Sequence, residues 1–284
     1  LRAARGRRGA LTFHRNELRA VMDDGHIKDV ATRHSNRAAD LIEDFMIAAN
    51  EVMAVSLRSA GVSSIRRVVK EPERWARIVE LAEGYNEKLP PEPDSGALNR
   101  FLLHRRQSDP VHYPDVSLAV LKLMGPGEYV VMTPNSEAEG HFGLAAHDYT
   151  HSTAPNRRFA DMVTQRLIKT LIGPQPHSAP YTDSELGQVA ARCTQMEDAA
   201  RKVERDMVKR IAAVALAPRI GQTFPAVVTG VTEKGVFVRI MDPAVEGRLM
   251  HGEHGLDVGD RLRVRLLSTD PIRGFIDFGR INGR

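Results

Sequence analysis

The sequence predicts a largely helical α/β (α+β) core followed by a C-terminal five-stranded β-barrel of the OB-fold type. Three observations predict it. Apolar residues recur at helical spacing through long segments before Pro218, most regularly over 35–60 and 185–217. After Pro218 the pattern changes to five short runs, 222–231, 235–241, 246–250, 260–268 and 273–278, separated by turn residues such as Glu233-Lys234-Gly235 and Gly259-Asp260. Within the first regime, a polar and basic loop runs straight into an amphipathic helix. The boundaries that follow are a core over 1–180, a long connecting helix of the same domain over 181–218, and a barrel over 219–284.

Composition narrows the class. The chain has 284 residues, 42% hydrophobic and 27% charged, which is ordinary for a folded globular protein. Lys+Arg 40 against Asp+Glu 36 gives a net charge of +4, which permits a polyanionic partner without demanding one. A single cysteine, Cys193, excludes an internal disulfide and a Cys-based zinc site. A reducing, cytoplasmic setting is the simple reading. No apolar run approaches the roughly 20 residues of a membrane-spanning helix. The opening LRAARGRRGA lacks both an initiator Met and an apolar segment, and reads as the interior of a longer chain.

The elements follow in order. Arg2, Arg5, Arg7 and Arg8 read as a solvated basic arm, with nucleic-acid contact as the other reading. Residues 17–33 show two half-alternating runs around Asp24-Gly25, a hairpin signal. Ser35 or Asn36 caps a helix whose Leu41, Ile42, Phe45, Met46, Ala49, Val52, Met53 and Leu57 mark a face for a core, and Gly61 ends it. Residues 61–68 read as a connector. Pro72 to Tyr85 forms a helix carrying Trp75 on its apolar side. Further helices start at Asp94 or Ser95 and at Asp115. EYVVMTP is a strand, and GLAAHDY reads as a second strand paired with it, leaving the following loop at a sheet end. Residues 157–172 are a helix with Phe159, Met162, Val163, Leu167, Ile168 and Leu171 as its stripe. Residues 173–180 read as a linker-like loop. The long helix from about 185 to 217 carries Leu186, Val189, Cys193, Met196, Ala200, Val203, Met207, Ile211 and Val214, the pattern of an amphipathic connector lying along a core.

The segment from Tyr149 to Arg166 holds the strongest chemistry. It places His151, Ser152, Thr153, Asn156, Arg157 and Arg158 ahead of a helix start, with Asp161, Gln165 and Arg166 on the helix. Backbone N–H groups at a helix start favour an anion, and arginine forks bind phosphate oxygens in pairs. Asp161 lies one turn after the two arginines, close enough to orient one of their forks, which makes it an orienter rather than a catalytic acid.

YTHSTAPNRRFADMVTQR resembles the Y-x-H-x-(S/T)-(S/A)-P-x-R-(R/K)-(Y/F)-x-D signature of the ribonuclease II (RNB) exoribonucleases, and LIEDFMIAAN resembles a second motif of that family, with Asp44 where a longer Glu is usual. The resemblance implies 3′-to-5′ hydrolysis of single-stranded RNA to nucleoside 5′-monophosphates. It implies that Arg157 clamps the scissile phosphate, supported by Arg158 with Asp161. Tyr149, His151 and Thr153 would line the 3′-terminal pocket, and Glu43 would contact the terminal nucleotide. Asn50 and Asn156 join the RNA contacts, the other reading of Asn50 being a buried amide bonded to its neighbours. GQTFPAVVTGVTEKGVFVRI resembles the RNA-binding barrel first named from the ribosomal S-one protein, with Phe224 and Phe237 as surface stackers and Arg239 as a phosphate contact. Arg261, Arg263 and Arg265 alternate, giving a one-sided basic stripe.

The family's chemistry uses Mg²⁺ held by clustered aspartates. No D-x-x-x-x-x-D-x-D-D run occurs in the sequence, nor any H-E-x-x-H, G-x-S-x-G, P-loop or G-x-G-x-x-G motif. LRAARGRRGALTF matches the family just downstream of its aspartate region. The expectation is therefore the C-terminal half of an RNB catalytic domain with its terminal barrel, and metal ligands on a missing N-terminal half or a second chain. The alternative is a catalytically incomplete RNA-binding protein or subunit.

Overall fold

The computed structural model describes residues 1–13, 17–33, 36–110, 113–136, 139–173 and 180–281. The chain divides into two compact units, Leu1–His14 with Ser35–Asp198, and Arg15–His34 with Ala199–Arg284. Ser35 as a cap and the loop over 174–179 lie outside the described residues.

In the first unit, helix α1 (Arg2–Arg8) replaces the expected solvated arm. Its arginines meet the acidic side of α2 (Arg37–Ser59): Arg2 reaches Asp40 and Glu43, Arg5 pairs with Asp44, and Arg8 lies 2.9 Å from Glu51. Glu43 and Asp44 lie one turn after Asp40, and Glu51 lies two turns after Asp44, so one helix side presents them all.

Asn36 caps α2 by accepting the Ala39 N–H. The buried residues of α2 are Ile47, Asn50, Ala54 and Leu57, whereas Leu41, Ile42, Phe45, Val52 and Val55 are 49–66% exposed. Only part of the face marked as core is therefore buried. Helical spacing identifies an apolar side but not whether anything packs on it.

The 61–68 connector contains a strand, β3 (Ser64–Val68), buried along its whole length and antiparallel to β4 (Glu128–Met132), with Ile65 opposite Val131 and Arg67 opposite Tyr129. Adjacent arginines hid its apolar alternation. Arg66 is fully buried 4.0 Å from Asp148, and burial lowers its pKa to about 10. GLAAHDY is not a strand. It makes a 3₁₀ turn at Phe142–Leu144 that ends on Ala145 in the left-handed region. The chain then runs beside β3, where the Arg67 N–H donates to the Tyr149 carbonyl and the Thr150 hydroxyl to the Ile65 carbonyl.

Helices α3 (Trp75–Glu83), α4 (Ser95–Ser108) and α5 (Tyr113–Leu123) share a core of Trp75, Ile78, Leu98, Phe101, Leu102 and Val116. Trp75 packs there and donates its indole N–H to the Pro90 carbonyl. Helix α6 (Phe159–Ile172) buries Ala160, Val163 and Leu167 against Leu57, Ile65 and Leu186. Its outer residues Phe159, Met162 and Leu171 are exposed. Helix α7 (Asp183–Leu216) starts in a capping box: the Thr182 hydroxyl accepts the Glu185 N–H, and the Glu185 carboxylate accepts the Thr182 N–H. The helix does not lie along a core throughout. Met196, Val203 and Met207 are exposed.

The second unit joins a hairpin to a closed barrel. Strands β1 (Glu17–Asp23) and β2 (His26–Arg33) turn through Asp24 and Gly25, both at positive φ, as the sequence signal requires. Strands β5 (Thr223–Thr232), β6 (Gly235–Ile240), β7 (Glu246–His251), β8 (Arg261–Asp270) and β9 (Phe275–Arg280) close in the order β5-β6-β7-β9-β8, and the β7–β9 pair is parallel. Val30 of the hairpin and Ala212, Ala213 and Leu216 of α7 belong to the same core as Val238, Leu249, Val264 and Phe278. Arg219 reaches Asp29 at 2.8 Å. Phe224 is 7% exposed within that core and is not a surface stacker. Its place on β5 alternates inward, which a motif match alone does not reveal.

Candidate functional site

Two buried side chains, Asn50 and Asp161, and the half-buried Gln165 fix the loop ahead of α6 from both sides. Asn50 has no exposed surface: its amide nitrogen donates to the Tyr149 hydroxyl at 3.1 Å, and its oxygen accepts the Ser152 N–H and hydroxyl, each at 2.9 Å. Gln165 donates to the Ser152 carbonyl at 2.8 Å. Asp161, also without exposed surface, accepts the Ala154 N–H at 2.8 Å and the Arg158 guanidinium at 2.7 Å. A buried carboxylate placed in the first turn of a helix also complements its dipole.

The residues named on sequence therefore separate into two groups. Asn50, Tyr149, Arg158 and Asp161 are tied to the protein itself, and the amide of Asn50 orders the loop rather than meeting solvent. Thr153, Asn156 and Arg157 are exposed on the loop surface. Among the described residues Arg157 has no side-chain partner, so its five donors stay available to an anion. His151 is half-buried between them. Glu43 is exposed and sits 3.5 Å from Arg2, which ties it to the α1–α2 contact.

Aromatic rings line the inner side of the loop. Tyr149 meets His141 at 5.3 Å and His151 at 5.7 Å, both edge-on. The Tyr129 hydroxyl is 2.7 Å from His151 Nδ1, and Arg67 lies 4.9 Å from the centre of the Tyr129 ring while pairing with Glu197 at 2.7 Å. Burial, then the Arg158 and Arg67 cations, lowers His151 to about 2, and burial with Arg67 lowers His141 to about 4. Burial, then Glu197, raises Tyr129 to about 12. Tyr129, Arg67 and Glu197 escaped the sequence reading because they come from three separate elements.

On the barrel, Phe237 and Arg239 are half-buried on the outward side of β6, opposite Arg248 and Glu246 of β7. Arg261, Arg263 and Arg265 are exposed along β8, as their alternation predicts.

The donor set does not fit a magnesium centre. Among the described residues no group of three or more His, Cys, Asp or Glu side chains could hold a metal ion. The neighbouring acids Asp40, Glu43 and Asp44 are already ion-paired with Arg2 and Arg5. No helix among the described residues is long and apolar enough to cross a membrane.

A helical core that presents an unpaired arginine, together with a closed five-stranded barrel, defines the two parts of an RNase II-type chain. Residues 1–174 match the RNB domain, and residues 222–281 match the RNase II-type exonuclease C-terminal S1 domain. The chain belongs to the RNB family. Ribonuclease R of Thermotoga maritima is 31% identical over 309 residues, covering 98% of this chain and 42% of that protein. The apo form of Mycoplasma genitalium RNase R has the same fold, with a TM-score of 0.87 at 22% identity over 99% of this chain and 47% of that one. Its complex with ribose-methylated single-stranded RNA gives 0.86, also at 22% identity and the same coverage. The chain thus spans less than half the length of the relatives it matches.

Proposed function

We propose that the chain supplies the phosphate clamp, part of the 3′-terminal pocket and the RNA-binding barrel of a 3′-to-5′ exoribonuclease. Its substrate is single-stranded RNA and its products are nucleoside 5′-monophosphates. The observation that carries the reading is Arg157, exposed and without a side-chain partner among the described residues, on a loop held in place by Asn50, Asp161 and Gln165. A guanidinium at this place neutralises charge that builds on a phosphate during displacement. Arg158 is held by Asp161 and supports the loop. Thr153, Asn156 and His151 contact the terminal nucleotide, with Tyr149 behind them and Glu43 at the edge. Phe237 stacks a base and Arg239 meets a phosphate further along the strand.

Magnesium, which activates the attacking water in such chemistry, would be held by aspartates on a segment outside this sequence. The exposed apolar side of α2 supports that reading: Leu41, Ile42, Phe45, Val52 and Val55 form an unpartnered surface that an adjoining part of the same domain would cover. In a polypeptide that includes that segment, Arg157→Ala should lower turnover by about 10²-fold or more while RNA affinity stays nearly constant. Unchanged turnover would sink the assignment.

A second reading, an RNA-binding protein with an incomplete nuclease core, is favoured by the lack of a metal-binding cluster among the described residues. Incubating the 284-residue chain with single-stranded RNA and Mg²⁺ separates the two. Degradation by the purified chain excludes the binding-only reading.

A further inference from the structure

The two nitrogens of His151 are in different situations. Nδ1 lies 2.7 Å from the Tyr129 hydroxyl. Nε2 has no partner among the described residues and is not among their sealed polar atoms. The ring is held edge-on by Tyr129, at 5.6 Å and 72°, and by Tyr149, at 5.7 Å and 78°. These contacts restrict its rotation.

The direction of the Tyr129–His151 bond follows by elimination. Tyr129 is 7% exposed, and burial keeps its phenol protonated at physiological pH. That proton has no other acceptor among the described residues, so the hydroxyl donates and Nδ1 accepts. An imidazole that accepts at Nδ1 carries its single proton on Nε2. The surroundings oppose a second proton: burial first, then Arg158 from the loop, Arg67 from β3, His141 from the preceding turn and Arg157 all act against it. The nearby carboxylates are already engaged, Asp161 with Arg158 and Glu197 with Arg67.

We propose that Tyr129 is the positioning residue of this pocket, fixing His151 as the Nε2–H tautomer so that the loop offers the RNA end a neutral hydrogen-bond donor beside the cationic Arg157. The donor suits an acceptor oxygen, either a ribose 2′-hydroxyl or a phosphate oxygen. This rests on reading the loop as the RNA-end pocket. A neutral donor discriminates by position without adding charge, so its contribution stays constant between about pH 6 and 9.

The test uses the 284-residue chain labelled with ¹⁵N-histidine, alone and with a short single-stranded oligoribonucleotide. The expected spectrum shows His151 Nδ1 unprotonated and Nε2 protonated, and Tyr129→Phe shifts the Nδ1 resonance or mixes the tautomers. In binding, Tyr129→Phe and His151→Ala should each weaken affinity about 3- to 10-fold, and the double variant should match His151→Ala alone. An oligonucleotide ending in a 2′-deoxynucleotide separates the two acceptors. An equal His151→Ala loss on both probes assigns the phosphate, and a loss confined to the ribose probe assigns the hydroxyl. A protonated Nδ1, or losses that simply add, overturns the inference. The expected tautomer with RNA affinity unchanged in His151→Ala overturns instead the pocket reading on which it rests.

Discussion

Two segments of the first unit carry arginines close together and use them in opposite ways. On α1, Arg2, Arg5 and Arg8 all point into carboxylates of α2. On the loop before α6, Arg158 is paired with a buried aspartate and Arg157 is left without a side-chain partner among the described residues. In sequence the first segment is the more basic and reads as a solvated arm, while the second carries the anion-binding pattern. In the fold its Arg2, Arg5 and Arg8 staple two helices, and the sparser segment presents Arg157. Arginine density therefore says little about binding. The geometry of the neighbouring acids decides it.

Mutation and pH test that contrast, beginning with the largest expected effect and ending with the smallest. Asp161→Ala strips the buried partner of Arg158 and the acceptor of the Ala154 N–H. It should destabilise the first unit by about 3–5 kcal/mol in urea unfolding. A loss below about 1 kcal/mol would mean that the loop is not held by this pair.

Arg5→Ala leaves Asp44 without its main partner in a mostly buried setting, and should cost about 2 kcal/mol. The more exposed Arg2→Ala should cost less than about 1 kcal/mol. Equal losses from the two would contradict a staple centred on Arg5.

The buried histidines give a pH signature that α1 lacks. His141 and His151 are held neutral in the fold, near 4 and 2, against an ordinary value of 6.5. Below about pH 6.5 the unfolded chain takes up protons that the folded chain refuses. Stability is thus fully present above that pH and falls as pH drops towards the folded values, by about 1.4 kcal/mol per pH unit for each ring. Denaturation at pH 7.5 and 5.5 measures it. A slope that survives replacement of both histidines by glutamine belongs to other groups.

Arg157→Ala should change stability by less than about 0.5 kcal/mol, because no internal bond is lost. A larger change would show that Arg157, like the arginines of α1, is part of the packing.

The sequence showed what depends on local pattern. Asp24-Gly25, the Asn36 and Asp94 caps and all five barrel strands are short-range features, and each is where its residues placed it. The inner layer of the site was not legible. β3 hides behind consecutive arginines, and Tyr129, Arg67 and Glu197 meet across separations of 62 or more residues that no spacing rule connects. The same limit explains α2 and α7, where periodicity marked apolar sides correctly and could not say that Phe45 or Val203 has nothing against it. Phe224 and Phe237 make the point within one motif: both match as aromatics of the barrel opening, and only the pleat sends one inward.

The second unit is written in two places along the chain, and this sets an order of events during synthesis. The hairpin of β1 and β2 is made before the core that receives Val30, which is built from α7 and the barrel, beginning about 170 residues later. At ribosomal speeds that interval is on the order of ten seconds or more. A lone two-stranded hairpin is marginal in water, so these strands wait for their packing until α7 and the barrel have followed them. A nascent chain stopped before Thr223 should leave the Ile27 and Val30 amides unprotected against hydrogen exchange, and extension through β9 should protect them.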